Sequence, residues 1–333
     1  MDPLSHLYTA VARYRRRYYL THPERRRRLA RPVISVGNLA VGGRAKTPLV
    51  AAIAAHLASV GERPAILSRG YARRRVPDGV VVVRDPAGIR ADLDRAGDEP
   101  LMLARQLEGV AVLTCADRYL AGRVAEHHFG CTVHVLDDGF QHFALHRLID
   151  IVVIGSEDLD NPRTLPFGRL REPVDALGAA SAVIALDETP MQGLAPGRPI
   201  WRARRVLEGA RLVEPYGAPA PPSGGLVVAV AGIARPERFF SDLRVAGWPI
   251  ARELAFRDHH RYSSSDVARI FRAAREQGAD LVVTTEKDLV RLLPFRPFPL
   301  SVAWVPLSVR IEPADAFNHW LMASLLSARE GVQ

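Results

Sequence analysis

Residues 35–48, SVGNLAVGGRAKTP, set a lysine–threonine pair behind two adjacent glycines. That pattern suits a loop that wraps phosphate. Backbone N–H groups from Gly42, Gly43, Arg44 and Ala45 would face the anion at a helix start. Lys46 would reach the transferring group, and the Thr47 hydroxyl would ligate Mg²⁺. The strict pattern asks for glycine at positions 40 and 45, and both are alanine here. Glycine before the lysine permits a positive φ, whereas alanine there costs roughly 1 kcal/mol and brings a methyl group toward the ligand. Arg44 either adds positive charge near the phosphates or occupies their place. Ala45 therefore bears on nucleotide affinity and rate more than on the fold.

A second acidic element strengthens the loop. In VHVLDDGFQH, residues 133–142, an apolar strand delivers Asp137 and Asp138 to its carboxyl end, where phosphate-loop proteins hold Mg²⁺. Two adjacent buried acids repel each other and call for a cation. Taken alone, the pair suits a turn or a helix cap equally well. Lysine use points the same way: all but two of the 45 Lys plus Arg are arginine, and the two lysines are Lys46 and Lys287 of TTEKD. A compact ammonium and a planar guanidinium are not interchangeable at a crowded phosphate site. Glu286 and Lys287 follow the apolar run DLVVTT. Arg69, Arg118 and Arg171 lie after strand-like runs or in turns, where a guanidinium can fork onto phosphate or form an ordinary salt bridge.

The elements that must position these residues alternate. RPVISVGN reads as a strand entering a loop, and TPLVAAIAAHLASVG as a helix closed by Gly61. PAILS, GVAVLTC, CTVHVLDD, DIVVIG and SAVIAL follow as buried strands. After the Pro/Gly/Ala stretch at 215–225, GLVVAVAGIARPERFF repeats the order strand, glycine turn, helix, and ADLVVTTEKD supplies another strand. The alternation predicts an α/β fold, with a phosphate-loop NTPase-like, mostly parallel sheet carrying helices on both faces and a smaller C-terminal α/β domain. Its expected divisions are an N-terminal helix at 1–30, a kinase core at 31–200, a linker at 201–225 and the second domain at 226–333. Ligands of such sheets bind outside the carboxyl ends of the strands.

The 333 residues, 48% hydrophobic and 24% charged, form a globular composition able to bury a large core. The net charge is +9, and residues 1–30 carry eight arginines against Asp2 and Glu24. Leu4, Leu7, Tyr8, Val11, Tyr14 and Tyr18 recur at helical spacing, with Arg13, Arg16 and Arg17 elsewhere. Arg15 falls inside the apolar sector and would have to snorkel. This segment reads as a helix lying in an anionic membrane interface, too short and charged to span it. The alternative is a helix docked on its own domain with a solvated basic face. Two cysteines, Cys115 and Cys131, give no disulfide framework, so the chain reads as cytosolic. Nucleic acid other than ATP is not expected as a partner, because aromatic RNA-reading signatures and a recognition helix are missing.

SVGNLAVGG, LSRGY, GDEP, LDDGFQH, LREP, AGIARPERFF, DHH and TTEKD occur in this order along nearly the whole chain. Together they resemble the tetraacyldisaccharide 4′-kinase family of lipid A biosynthesis. The resemblance implies transfer of the γ-phosphate of ATP, with Mg²⁺, to the 4′-hydroxyl of a lipid A disaccharide 1-phosphate precursor. The implied setting is the cytoplasmic face of the bacterial inner membrane. Asp98 of GDEP then corresponds to the catalytic carboxylate, working with His259 or His260 of DHH, His259 being favoured. Arg69, Arg118, Arg171, Glu172, Glu286 and Lys287 would border the nucleotide, and Thr47, Asp137 and Asp138 the metal. Without the resemblance, Asp98 reads as a helix N-cap and RDHHRY as a solvated loop. The family's usual loop is GGTGKT, so GGRAKT departs from it, and the rival expectation is a weakened or inactive relative.

Overall fold

The computed structural model describes residues 3–42, 45–71, 73–75, 78–220 and 225–330, so Gly43 and Arg44 of the loop lie outside the described residues. Helix α1 (Pro3–Thr21) leads to strand β1 (Val33–Asn38) and helix α2 (Lys46–Ser59). Strands β2 (Pro64–Ser68), β3 (Val81–Asp85) and β4 (Gly88–Ile89) precede α3 (Leu93–Ala96) and α4 (Asp98–Gln106). Next come β5 (Ala111–Thr114), α5 (Arg118–Phe129), β6 (Val133–Asp137), β7 (Ile149–Ile154), α6 (Ser156–Asp160), β8 (Ala182–Leu186) and β9 (Ile200–Leu207). A second run holds β10 (Arg211–Leu212), β11 (Val227–Ala231), α7 (Pro236–Val245), β12 (Ile250–Ala255), α8 (Ser264–Glu276), β13 (Leu281–Thr285), α9 (Glu286–Leu292) and β14 (Ser301–Val305). β15 (Leu307–Glu312) and α10 (Ala314–Glu330) follow.

Among the described residues these strands form a ten-stranded sheet, ordered β15-β9-β8-β7-β1-β6-β2-β5-β3-β4, and a five-stranded sheet, ordered β10-β14-β13-β11-β12. Every pairing from β9 through β8, β7, β1, β6 and β2 to β5 is parallel. The carboxyl ends of those strands therefore share one edge, the expected place for a ligand. Period-two alternation splits the apolar runs between two layers. Ile34 and Val36 join Leu49, Ile53 and Leu57 of α2 on one face. Val33, Leu67 and Leu136 join Ala121 and Ala125 of α5 on the other. Both faces are covered, which is why these strands read as near-continuous apolar runs.

The expected linker at 201–225 is a correction. Ile200–Leu207 is strand β9, parallel to β8 and antiparallel to β15, and Arg211–Leu212 is β10. Residues 221–224 lie outside the described residues. The sequence IWRARRVL sets charge between apolar residues, as a half-exposed strand near a sheet edge does, and its second partner comes from the far end of the chain. The expected domain at 226–333 also gives up its last part. β15 extends the large sheet, and Phe317, Leu321 and Leu325 of α10 belong to the same core as Leu49 and Ile53.

Helix α1 turns its apolar stripe outward: Leu4, Leu7, Val11 and Tyr14 are 56%, 63%, 57% and 70% exposed. Its attachment is polar. Ser5 and Thr9 bond to Thr164, Arg13 pairs with Asp175, and Arg16 forks onto Glu172 at 2.6 and 2.8 Å. Docking through the apolar face is thus not what holds this helix. No helix among the described residues is long and apolar enough to cross a membrane.

Candidate active site

Two of the aligned strand ends, those of β1 and β6, supply the phosphate end of the site. β1 closes at Asn38, and α2 opens at Lys46 after Ala45, whose φ of 53° and ψ of 25° are left-handed. The alanine takes the conformation that the glycine of the strict pattern would take. Lys46 Nζ lies 2.9 Å from Asn38 Oδ1 and 2.9 Å from Asp138 Oδ1. Arg171 donates to both Asp138 oxygens at 2.9 and 2.7 Å and to Asn38 Oδ1 at 2.6 Å. The turn carrying Asp138 presses on β1 so closely that a Cβ at Gly37 would sit 2.5 Å from Phe140 Cβ. Only glycine fits there, and Asp138 itself holds a φ of 55°.

The two aspartates divide in electrostatic character. Burial would raise the Asp138 carboxyl, but the Arg171 hydrogen bonds and the Lys46 ammonium outweigh it and hold the group well below the usual carboxylate range. Asp137 is pushed the other way, by burial first and then by the neighbouring Glu99 and Asp138 charges. An acid at a parallel strand end that is reluctant to ionise fits a divalent cation. Among the described residues no group of three His, Cys, Asp or Glu is placed to hold a metal. Mg²⁺ does not need one, since it keeps waters and takes one or two carboxylates together with substrate phosphates. Asp137 and Thr47 suit it, whereas Asp138 is already engaged by Lys46 and Arg171.

A carboxylate–imidazole pair lies nearby. Asp98, 4% exposed at the start of α4, accepts from His259 Nδ1 at 2.8 Å and from Arg291 Nε at 3.0 Å. Burial raises the Asp98 carboxyl, yet the His259 bond and the Lys287 and Arg291 charges hold it well below its ordinary value. A carboxylate partner assigns the proton to Nδ1 and leaves the lone pair on Nε2. Nε2 faces Lys287 Nζ at 3.3 Å, and Lys287 is held by Glu99 at 2.9 Å and lies 3.8 Å from Asp258. Glu99 joins the two halves, because it pairs with Lys287 and its charge acts on Asp137. His259 has a φ of 56° and meets the edge of the Tyr71 ring at 5.2 Å between centroids.

The remaining candidates separate. Arg118 is buried at the start of α5, its Nε without a partner, and burial followed by the Arg69 charge lowers its guanidinium. Two adjacent cations, one with a spare donor, suit an anion. Gly42, with a φ of 96°, keeps its expected place in the loop. Glu172 is buried and taken by Arg16 and by Gln141, which bonds it at 3.0 Å and the Asn38 carbonyl at 3.0 Å. His260 turns away to Asp266 at 3.1 Å and stacks on Phe256. Glu286 also points elsewhere, to Gln106 at 2.6 Å, and burial pushes it up to about 7. Sequence reasoning passed over Glu99, Asn38 and Arg291. Lys287 and Arg291 share one face of α9 at i, i+4 spacing, a signal that was there to be read.

Comparison with known proteins adds the wider setting. The family profile described as tetraacyldisaccharide-1-P 4′-kinase matches residues 1–326. A tetraacyldisaccharide 4′-kinase of Koribacter versatilis (strain Ellin345) is 40% identical over 325 residues, covering 95% of this chain and 96% of the relative. Another, from Anaeromyxobacter dehalogenans (strain 2CP-C), is 42% identical over 286 residues, covering 80% of this chain and 74% of the relative. A solved structure, the "apo" form of LpxK from Aquifex aeolicus in complex with ATP, superimposes with a TM-score of 0.81 at 30% identity, covering 97% of this chain and 98% of that one.

Proposed function

This chain belongs to the tetraacyldisaccharide-1-P 4′-kinase family, and from that membership and the site geometry we propose how it works. It is an ATP-dependent kinase that phosphorylates the 4′-hydroxyl of a lipid A disaccharide 1-phosphate precursor. Gly42, Ala45, Lys46 and Thr47 would receive the triphosphate of ATP, with Lys46 on the transferring end. Arg118 and Arg69 offer further donors to phosphate. Asp138 and Asn38 aim the Lys46 ammonium, and Arg171 completes that cluster. Thr47 and Asp137 would hold Mg²⁺, which supplies charge neutralisation on the phosphate oxygens when bound.

The 4′-hydroxyl displaces Lys287 from His259 Nε2. As oxygen attacks the γ-phosphorus and the bond to ADP breaks, Nε2 takes the hydroxyl proton, while the Asp98 carboxylate steadies the imidazolium. Glu99 keeps Lys287 close enough to face the phosphoryl group. The carrying observation is the 2.8 Å contact between His259 Nδ1 and buried Asp98, which leaves Nε2 as the base. Helix α1 lies on an anionic membrane surface, a reading supported by its outward apolar stripe and its arginines, and the cytoplasmic face of the inner membrane is the setting proposed with it, where the lipid substrate is met.

The test is transfer of labelled γ-phosphate from ATP with Mg²⁺ to a lipid A disaccharide 1-phosphate in detergent micelles, with Lys46→Ala as the blank. Transfer should exceed the blank, and His259→Gln should lower kcat by about 10²- to 10⁴-fold, as for a lost general base. Folded parent protein that transfers nothing would reject the reaction. Parental turnover in His259→Gln would reject the base.

A further inference from the structure

One guanidinium in the site is fully engaged yet has no part in the reaction just described. Arg291, 3% exposed, lies between the two sheets. Its Nε and Nη2 both donate to Asp98 Oδ2, Nε at 3.0 Å. Its Nη1 donates to the Gly232 carbonyl at 2.9 Å and to Asp288 Oδ1 at 3.0 Å. Asp288, fully buried, is held in turn by the Tyr262 hydroxyl at 3.0 Å, the Gly232 amide at 2.9 Å and the Thr285 hydroxyl at 2.7 Å. A Cβ at Gly232 would lie 2.9 Å from Asp288 Oδ1, so the end of β11 closes on this carboxylate as tightly as backbone allows. A continuous chain of buried bonds thus runs from the small sheet through Asp288 and Arg291 to Asp98 and His259.

We propose that Arg291 is a positioning residue for phosphoryl transfer, which fixes the Asp98 carboxylate against His259 and ties that orientation to the second sheet. The inference rests on the base role of the Asp98–His259 pair. Asp98 Oδ1 accepts the Glu99 amide at 3.0 Å, and the planar guanidinium brings two donors onto the Oδ2 that also faces His259 Nδ1, which fixes that oxygen's direction in a way a single ammonium does not. The guanidinium is anchored by the Gly232 carbonyl just past β11 and by Asp288 of α9, so the pair is in register only while these elements of the small sheet's unit stay in register with α4. A buried ion pair with a purely structural role would affect stability and leave the kinetic signature of the base alone.

That difference is measurable in the pH dependence of kcat/KM. The charged and titratable groups around the pair are Glu99 on α4, Asp258 beside His259, Lys287 and Arg291 on α9, and the Tyr71 ring. Removing the Arg291 cation strengthens proton binding by the Asp98 carboxyl, so the pair takes up its proton at higher pH and the acid limb of the profile moves up.

The experiment compares the full-length parent, Arg291→Gln, Arg291→Lys, Asp98→Asn and His259→Gln in the micelle assay from about pH 5 to pH 10, which spans the histidine range. Melting temperature and ATP affinity are measured beside it. Arg291→Gln should lower kcat by about 10²-fold, leave the ATP affinity within about twofold and move the acid limb up by about one pH unit. Arg291→Lys should keep the limb in place and still lose about tenfold in kcat, because an ammonium cannot fork. Parental kcat in both Arg291 variants, or a uniform loss at every pH that tracks a fall in melting temperature, overturns the proposal. If Arg291→Gln does not fold, Arg291→Lys decides alone: lowered kcat with parental melting and ATP affinity supports the role, and parental kcat rejects it. Should Asp98→Asn and His259→Gln keep parental turnover, the pair itself is not the base. If those two collapse and the Arg291 variants do not, only the positioning role fails.

Discussion

Positive φ gathers at the residues with chemical work to do. Among the described residues, Ala45, Asp138, Asp187 and His259 are the non-glycine positions with φ above zero, at 53°, 55°, 52° and 56°. Three of the four line the candidate site. Such conformations cost about 1–3 kcal/mol each and persist where surrounding contacts over-determine them. Asp138 is held by Lys46 and Arg171, and His259 by Asp98 and Lys287. Ala45 accepts the Leu49 amide at 3.1 Å and packs against the large core, but its methyl makes no polar bond, so its strain is the most readily relieved. Replacing it with glycine removes a left-handed penalty of about 1–2 kcal/mol and adds back about 0.4–1 kcal/mol of unfolded-state entropy. Ala45→Gly should therefore stabilise the protein by a few tenths to about 1 kcal/mol, read from denaturant melts. ATP should also bind a few-fold more tightly as the methyl group is withdrawn. A destabilised Ala45→Gly protein would show that the loop does not hold this conformation in solution.

At the scale of elements, α1 combines two attachments that a helical wheel alone could not separate. Three- and four-residue spacing identified the apolar stripe, and that stripe is exposed. The same spacing set Arg16 apart from the stripe but gave no sign that it turns inward onto Glu172, with its guanidinium 4.1 Å from the centre of the Phe140 ring. Partners 156 residues away are invisible to a local pattern. The parallel strands were legible because burial on both faces makes them continuous apolar runs, and the phosphate loop and Asp137–Asp138 because both sit where such strands end. Strand β9 was not legible, since its charged residues follow from a half-exposed place beside β15. The stripe itself invites a test. Leu7→Asp with Val11→Asp should cut partition onto anionic vesicles by at least tenfold, since burying each leucine- or valine-sized chain contributes about 1.5–3 kcal/mol. Melting temperature should stay at the parental value, because neither side chain is packed. Undiminished vesicle binding would place the membrane contact somewhere other than this helix.

For the whole molecule, the small sheet is an insertion in the large one. The chain leaves the ten-stranded sheet after β9 and rejoins it at β15, and the crossing points touch where the Glu208 amide donates to the Pro306 carbonyl at 2.9 Å. Between them, α9 meets α4 through Arg291 to Asp98, Lys287 to Glu99 and Gln106 to Glu286. The candidate base is therefore assembled from both units, and the large unit is completed by residues that follow the small one. Ending the chain at residue 306 would strip β15 from β9 and take Phe317, Leu321 and Leu325, each 0–1% exposed, out of the core shared with Leu49 and Ile53. Removing one such side chain to alanine costs about 2–5 kcal/mol, and a whole protein commonly has only about 5–15 kcal/mol to lose. The truncated chain should lose its cooperative melt and its ATP binding together, although every candidate site residue is still present. Leu321→Ala should lose about 2–5 kcal/mol in a denaturant melt and keep the ATP affinity of the parent once folded. A chain ending at 306 that melts and binds ATP like the parent would instead make the last helix dispensable and the large sheet complete at β9.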